Sequence, residues 1–262
     1  MPTLLRCGMR PPNPGKRSAP ASDILEWRQD YLTRLAALSA SQPAGHEPPS
    51  LELGNRKTGR TGSRFATVLV WNLPAAASCP GASAWCRTHC YNADPRPDVF
   101  PVGRWLENWA WVVHAPERLR ENILRQLEEA TPPVAVRVHS SGDFFTAAYA
   151  EFWRHVSQLT PRVSYWAYTR SWTNPEIRAA LDDLRAEPNF QLFASWDATM
   201  PPPPAGWRLA FVGTRTSAES ISFMTHRGPS LSCPEEREKG PACASCGYCI
   251  APQQGNVTFE PH

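Results

Sequence analysis

The sequence predicts an α/β protein built on a partial (βα) barrel-like parallel sheet, with a flexible leader before it and a Cys-rich segment after it. Two observations predict this. From residue 64 onward, apolar β-rich runs alternate with amphipathic stretches of helical period, the order of parallel βαβ units. The runs themselves, such as "VAVRV" and "LAFV", are nearly continuous in apolar residues, as in strands covered on both faces. A doubly wound sheet is the second choice, and no internal repeat is evident.

The elements follow in chain order. Residues 1–22 and 40–50 are rich in Pro, Gly and Ser and read as leader and linker. The 28 prolines, about twice the average share, concentrate partly there. Between them, 22–40 ("SDILEWRQDYLTRLAALSA") is predicted as one amphipathic helix, capped by Ser22 or Asp23, that docks on the core or on a partner. Then comes a Gly-rich basic loop, "GNRKTGRTGSR", with Arg56, Lys57, Arg60 and Arg64 and no acid. Residues 1–64 are net +5 and the remainder net −2, within a total of +3. Such a loop suits a phosphate backbone; a solvated loop is the plainer alternative.

Strands are predicted in 64–74, 133–143, 163–172, 190–197 and 207–215. Two helical stretches fall within 97–130, the second opening at Pro116 with Glu117 beside it. Further helices are expected at 146–160 and at 174–188, the latter capped by Asn174 with Pro175 at its first position. The tryptophans Trp105, Trp109, Trp111, Trp166, Trp172 and Trp196 are expected as core or site walls. Pro-rich 200–207 reads as a stiff connector. The predicted organisation is a leader over 1–63, a (βα) core over 64–224 and a Cys-rich metal-binding tail over 225–262.

Several classes are excluded or disfavoured. No run of eighteen apolar residues occurs, so no transmembrane helix is expected. The N-terminus has no long apolar core after its charges, unlike a secretory signal. A reducing cytoplasm is therefore expected, where clustered cysteines bind metal or react more often than they pair.

Seven of the eight cysteines form two clusters; Cys7 lies alone in the leader. Cys79, Cys86 and Cys90 fall in the loop after the first core strand, where barrels and wound sheets place their chemistry. The other strand ends are polar too: "HSSGDFF" from His139, "YTRSW" with Arg170, "SWDAT" with Ser195 and Asp197, and "GTRTS" with Arg215. Polar caps of βα loops explain part of this, but Asp143, Arg170 and Asp197 exceed what capping requires. Three thiolates with an open fourth position suit an iron–sulfur cluster; with His89 or His139 they suit zinc. The gaps of six and three residues differ from a standard zinc knuckle. His139 is either a satisfied core histidine or a site residue. Asp143 is either a helix-start cap that Asn could replace or a charged ligand that it could not.

The second cluster, Cys233, Cys243, Cys246 and Cys249, has gaps of nine, two and two. Four thiolates complete a tetrahedral zinc set, and the doubled two-residue gap equally suits a second iron–sulfur cluster. His226 is an outside candidate ligand.

A cysteine triplet after the first strand of a (βα) array, with Tyr91 beside its last cysteine, resembles the radical S-adenosylmethionine superfamily. The resemblance implies a [4Fe–4S] cluster on Cys79, Cys86 and Cys90. It also implies S-adenosylmethionine as a small-molecule cosubstrate. Ser141, Gly142 and Asp143 stand where that family's Gly-Gly-Glu-like motif binds the methionyl amine, and Ser195 or Asp197 where a ribose contact falls. The cysteine spacing departs from the family's usual three and two. A second resemblance spans about residues 55–250. The string "NRKTG…VWNLPA…CPGAS…CYN…RVHSSGDF…YTRSW…CGYC" is similar to the family named for actinobacteriophage gene product eighty-eight, which implies phage or mobile-element company. Two function classes result: a cluster-dependent enzyme with Asp143, Arg170 and Asp197 as catalytic residues, or a non-catalytic, metal-stabilised protein binding nucleic acid or a host protein through the basic loop.

Overall fold

The five apolar runs all become strands, and the amphipathic stretches between them become helices. The computed structural model describes residues 47–90, 92, 102–213, 228–236, 240–252 and 255–260. The helix expected at 22–40, Cys7, Tyr91, Arg215 and His226 lie outside the described residues. In chain order the elements are β1 Glu52–Leu53, β2 Thr67–Trp71, α1 Ala84–His89, α2 Val102–His114, α3 Pro116–Glu129, β3 Val134–Val138, α4 Ala147–Leu159, β4 Ser164–Thr169, α5 Pro175–Ala186, β5 Phe190–Trp196, β6 Arg208–Val212, β7 Ser230–Ser232, α6 Cys243–Cys246 and β8 Asn256–Phe259.

The sheet order is β1-β2-β3-β4-β5-β6-β8-β7. Only the β1–β2 pairing is antiparallel. From β2 to β6 each strand lies beside its successor, with no reversal of direction along the sheet. A doubly wound sheet needs such a reversal and helices on both faces. Here one face carries Leu69, Val136, Tyr165, Leu192 and Leu209 against Trp111, Ile123, Trp153, Val156 and Leu181 of α2 to α5. Pro116 opens α3, and Asn174 caps α5 by accepting from the Glu176 amide at 2.9 Å. Of the six tryptophans expected as core or site walls, Trp105, Trp111, Trp166 and Trp172 are buried.

The opposite, inner face carries Val68, Ala135, Trp166, Phe193, Ala210 and Val257. In a closed barrel, side chains from the remaining strands would fill this space. Here it is covered by Ala244 and Ile250 of the Cys-rich segment, with Phe65, Cys233, Cys243 and Cys249 around them. That segment is woven into the sheet rather than appended to it: residues 256–259 and 230–232, expected in a tail, form β8 and β7. At the other end, β1 and Leu51 lie before the expected core boundary but pair with β2 and with Gln126 of α3. These strands are two to four residues long, too short to leave a periodic signal. Among the described residues no helix is long and apolar enough to cross a membrane.

Candidate functional site

The site is built where β2 to β5 end. Asn72 directly follows β2, and its Oδ1 accepts the amides of Ser140 and Ser141 at 2.9 and 3.0 Å. Leu73 donates its amide to the Ser141 carbonyl. The backbones after β2 and β3 are thus bound side by side. Gly142 fits there because its φ is +85° and because a Cβ would stand 2.6 Å from Leu73 Cβ and 2.7 Å from Ser78 Oγ. One residue after Ser78 comes Cys79.

Ser83 is the hinge of the cysteine loop. It caps α1 by accepting the Cys86 amide at 3.0 Å, and it donates to Asp197 Oδ2 at 2.7 Å. Arg170 Nη1 donates to Ser83 Oγ at 3.2 Å, pairs with Asp197 Oδ2 and approaches Met200 Sδ at 2.8 Å. Gly81 lies against the Arg170 carbonyl so tightly that a Cβ would fall 2.1 Å from its oxygen. Asp143 completes the chain of contacts, accepting the Phe144 amide at 2.7 Å on one oxygen and the Arg170 amide at 2.8 Å on the other. Residues at the ends of β3, β4 and β5 therefore clamp the cysteine loop. Burial pushes the Asp143 carboxyl up, and the Thr169 hydroxyl and these two amides oppose that. Burial also acts upward on Asp197, but the Thr199 and Ser83 hydroxyls and Arg170 outweigh it and hold the carboxyl below the usual range.

Cys86 and Cys90 act upward on the Cys79 pKa and Cys90 acts upward on that of Cys86, and Asp143 raises both Cys79 and Cys86. Burial is the largest cause: it pushes Cys79 well up and Cys86 to about 11, with Arg170 opposing at Cys86. Unliganded, the Cys79 and Cys86 sulfurs are protonated at neutral pH. That is the opposite of an activated nucleophile, which needs a depressed thiol. Three shielded soft donors from one loop fit a thiolate-bound metal, although among the described residues no three His, Cys, Asp or Glu side chains form a ready ion-binding group.

The structure gives several of the sequence-predicted residues different surroundings from those expected. Asp143 does not cap α4; Thr146 does, accepting the Tyr149 amide. His139 is 3% exposed with φ +70°, and its Nε2 lies 2.9 Å from the Tyr149 hydroxyl. Burial, with Arg137 adding, lowers its pKa to about 3, so it is neutral. Ser195 contributes its carbonyl to Trp172 Nε1 at 3.0 Å. His89 is exposed, stacked on Trp85. In the basic loop Arg56, Arg60 and Arg64 are exposed, whereas Lys57 pairs with Glu235 and Glu236 and lies over Phe259. Ser83 and Asn72 were not singled out from sequence. A Ser opening the turn that leads to Cys86, and an Asn directly after an apolar strand, were the available signals.

The second cysteine group lies on the inner face. Cys233, Cys243, Cys246 and Cys249 line one cavity together with Lys57, Arg137 and Tyr168. Burial pushes Cys243 to about 11 and Cys249 to about 12, and raises Cys233.

Comparison with known proteins agrees on one family. The Gene 88 protein of Mycobacterium phage L5 is 29% identical over 223 residues, covering 74% of this chain and 89% of the phage protein. The Gene 88 protein of Mycobacterium phage D29 is 29% identical over 216 residues, covering 71% and 85%. No solved structure gives a significant match. The family model described as Gene product 88 matches residues 49–252, from just before β1 through the second cysteine group, and the chain belongs to that family.

Proposed function

We propose that this chain is an enzyme that works on an iron–sulfur cluster held by Cys79, Cys86 and Cys90, with S-adenosylmethionine as cosubstrate. The observation that carries this reading is the clamp: residues from three successive strand ends converge on the loop that carries the three cysteines, at the carboxyl edge of a barrel-like sheet. Catalytic groups gather at that edge in barrels of this kind. The cluster, when bound and once reduced by an external one-electron donor, would supply the electron that breaks a carbon–sulfur bond of the cosubstrate's sulfonium. The chain's residues do the positioning. Ser83 fixes the Cys86 amide, Arg170 and Asp197 fix Ser83, and Asp143 fixes the Arg170 backbone. In this reading Asp143, Arg170 and Asp197 are positioning residues, because their polar atoms are engaged with one another and with the loop. The Ser141 hydroxyl, buried and without a partner among the described residues, is a polar atom still open to a ligand.

That same engagement of Asp143, Arg170 and Asp197 favours one second reading. In it, the metal sites stabilise a binding protein whose exposed Arg56, Arg60 and Arg64 contact nucleic acid. Calorimetric titration of anaerobically reconstituted protein with S-adenosylmethionine separates the two. The enzyme reading expects saturable binding that is absent without the cluster. No binding by loaded protein would leave the second reading.

A further inference from the structure

The inner face holds charge where a barrel interior is normally apolar. Arg137 occupies the inner row of β3 and is 8% exposed. It lies over the Tyr168 ring at 5.5 Å and lines the cavity that Cys233, Cys243, Cys246 and Cys249 also line. Lys57 lines the same cavity, paired with Glu235 and Glu236, and Arg208 lies over the inner-face Phe193 ring and donates to the Tyr248 carbonyl beside Cys249. Arg137 and Lys57 thus line the same cavity as the four cysteines, and all four cysteines are free. Neutral thiols do not need such company. Four thiolates around a divalent ion, or around a cluster of equal core charge, carry net −2 and do.

The backbone is arranged to present these sulfurs. Cys243 and Cys246 stand at the ends of the single turn α6, which Gly247 closes at φ +68°. Cys233 enters from the end of β7, its amide bound to the Thr258 carbonyl of β8 at 2.9 Å. The basic loop is strapped across the same segment: the Lys57 and Thr58 carbonyls accept the amides of Cys243 and Ala244, and the Ala244 carbonyl accepts those of Arg64 and Phe65. Arg208 donates to the carbonyls of Tyr248, Ala251 and Gly255.

We propose that Cys233, Cys243, Cys246 and Cys249 hold a four-thiolate metal centre that locks the C-terminal segment onto the inner face, and that Arg137 balances part of its negative charge. The centre takes the place of the side-chain layers that fill a closed barrel, and part of the basic loop serves it. This inference is independent of the proposed enzyme reading, which concerns the other cysteine group.

The test uses the full chain with Cys79, Cys86 and Cys90 replaced by Ala, so that only the second group remains. Purified protein is assayed for zinc, iron and sulfide, and chelator-treated protein is titrated with cobalt(II) alone. Zinc without sulfide identifies a single ion, and iron with sulfide identifies a cluster; either supports the proposal, as does a cobalt–thiolate charge-transfer band. Adding Cys243→Ala and Cys246→Ala should abolish the metal and open residues 228–256 to protease. Arg137→Gln should speed metal loss to chelator at least about tenfold, and Arg137→Lys should restore the slower rate. No metal and no cobalt–thiolate band would overturn the site. Equal chelator rates for wild type and Arg137→Gln would overturn the charge-balancing role.

Discussion

Asp143→Asn is the substitution that best separates holding the fold from holding a ligand. The wild-type carboxylate accepts two buried backbone amides, from Phe144 at 2.7 Å and Arg170 at 2.8 Å, on different oxygens. Hydrogen bonds to a charged group contribute about 1.5–3 kcal/mol each, and leaving a buried donor unsatisfied costs about 1–3 kcal/mol. Asn keeps one oxygen but must turn its NH2 towards the other amide, donor against donor. The expected loss is about 2–4 kcal/mol. For a chain of this size each kcal/mol moves Tm by about 2–4 °C, so the transition should fall by roughly 5–15 °C. Thermal unfolding followed by circular dichroism, on metal-free and reconstituted protein, measures it. Both forms should fall together, because the lost contacts are in the protein. An Asn variant as stable as wild type that nevertheless loses S-adenosylmethionine binding would refute this reasoning and return Asp143 to a ligand role.

Other predictions follow from the same clamp and its surroundings. Asp197→Ala leaves the Arg170 guanidinium, 9% exposed in its side chain, without its carboxylate, and should cost about 3–5 kcal/mol by chemical denaturation; a cost under about 1 kcal/mol would show that the pair is not buried in effect. Ser83→Ala removes the α1 cap and should cost about 1 kcal/mol while lowering iron retention at the first group; unchanged retention would show that Ser83 does not position the loop. His139 titrates at about 3 in the fold and at about 6.5 unfolded, so the unfolded chain takes the proton first. Its stability contribution is intact above pH ~6.5 and is lost at about 1.4 kcal/mol per pH unit as pH falls towards the folded value. His139→Asn, which tolerates the positive φ, should flatten the decline between pH ~6 and pH ~4; an unchanged slope would place the acid sensitivity elsewhere.

The strand order of the core was readable because buried strands and amphipathic helices each leave a strong period, and because Asn174–Pro175 and Pro116 mark helix starts. The two-residue β1 and the three- and four-residue β7 and β8 leave no period to read. That Cys79, Cys86 and Cys90 follow the end of a core strand was legible from the sequence. What each polar neighbour does was not, because it depends on contacts far apart in sequence. Asp143 and Arg170 are 27 residues apart, and Ser83 and Asp197 are 114 apart. Charge in the basic loop was legible; that Lys57 faces Glu235, Glu236 and the second cysteine group was visible only once β7 and β8 placed that segment on the inner face.

The central claim is that Cys79, Cys86 and Cys90 hold an iron–sulfur cluster at the carboxyl edge of the sheet. Iron and acid-labile sulfide per chain, measured on anaerobically purified wild type and on the Cys79→Ala, Cys86→Ala, Cys90→Ala triple variant, test it most directly. The account predicts both elements in the wild type and the loss of one cluster's complement of each in the triple variant, with the fold retained. Equal iron and sulfide in the two proteins, or a wild type without sulfide, would contradict it.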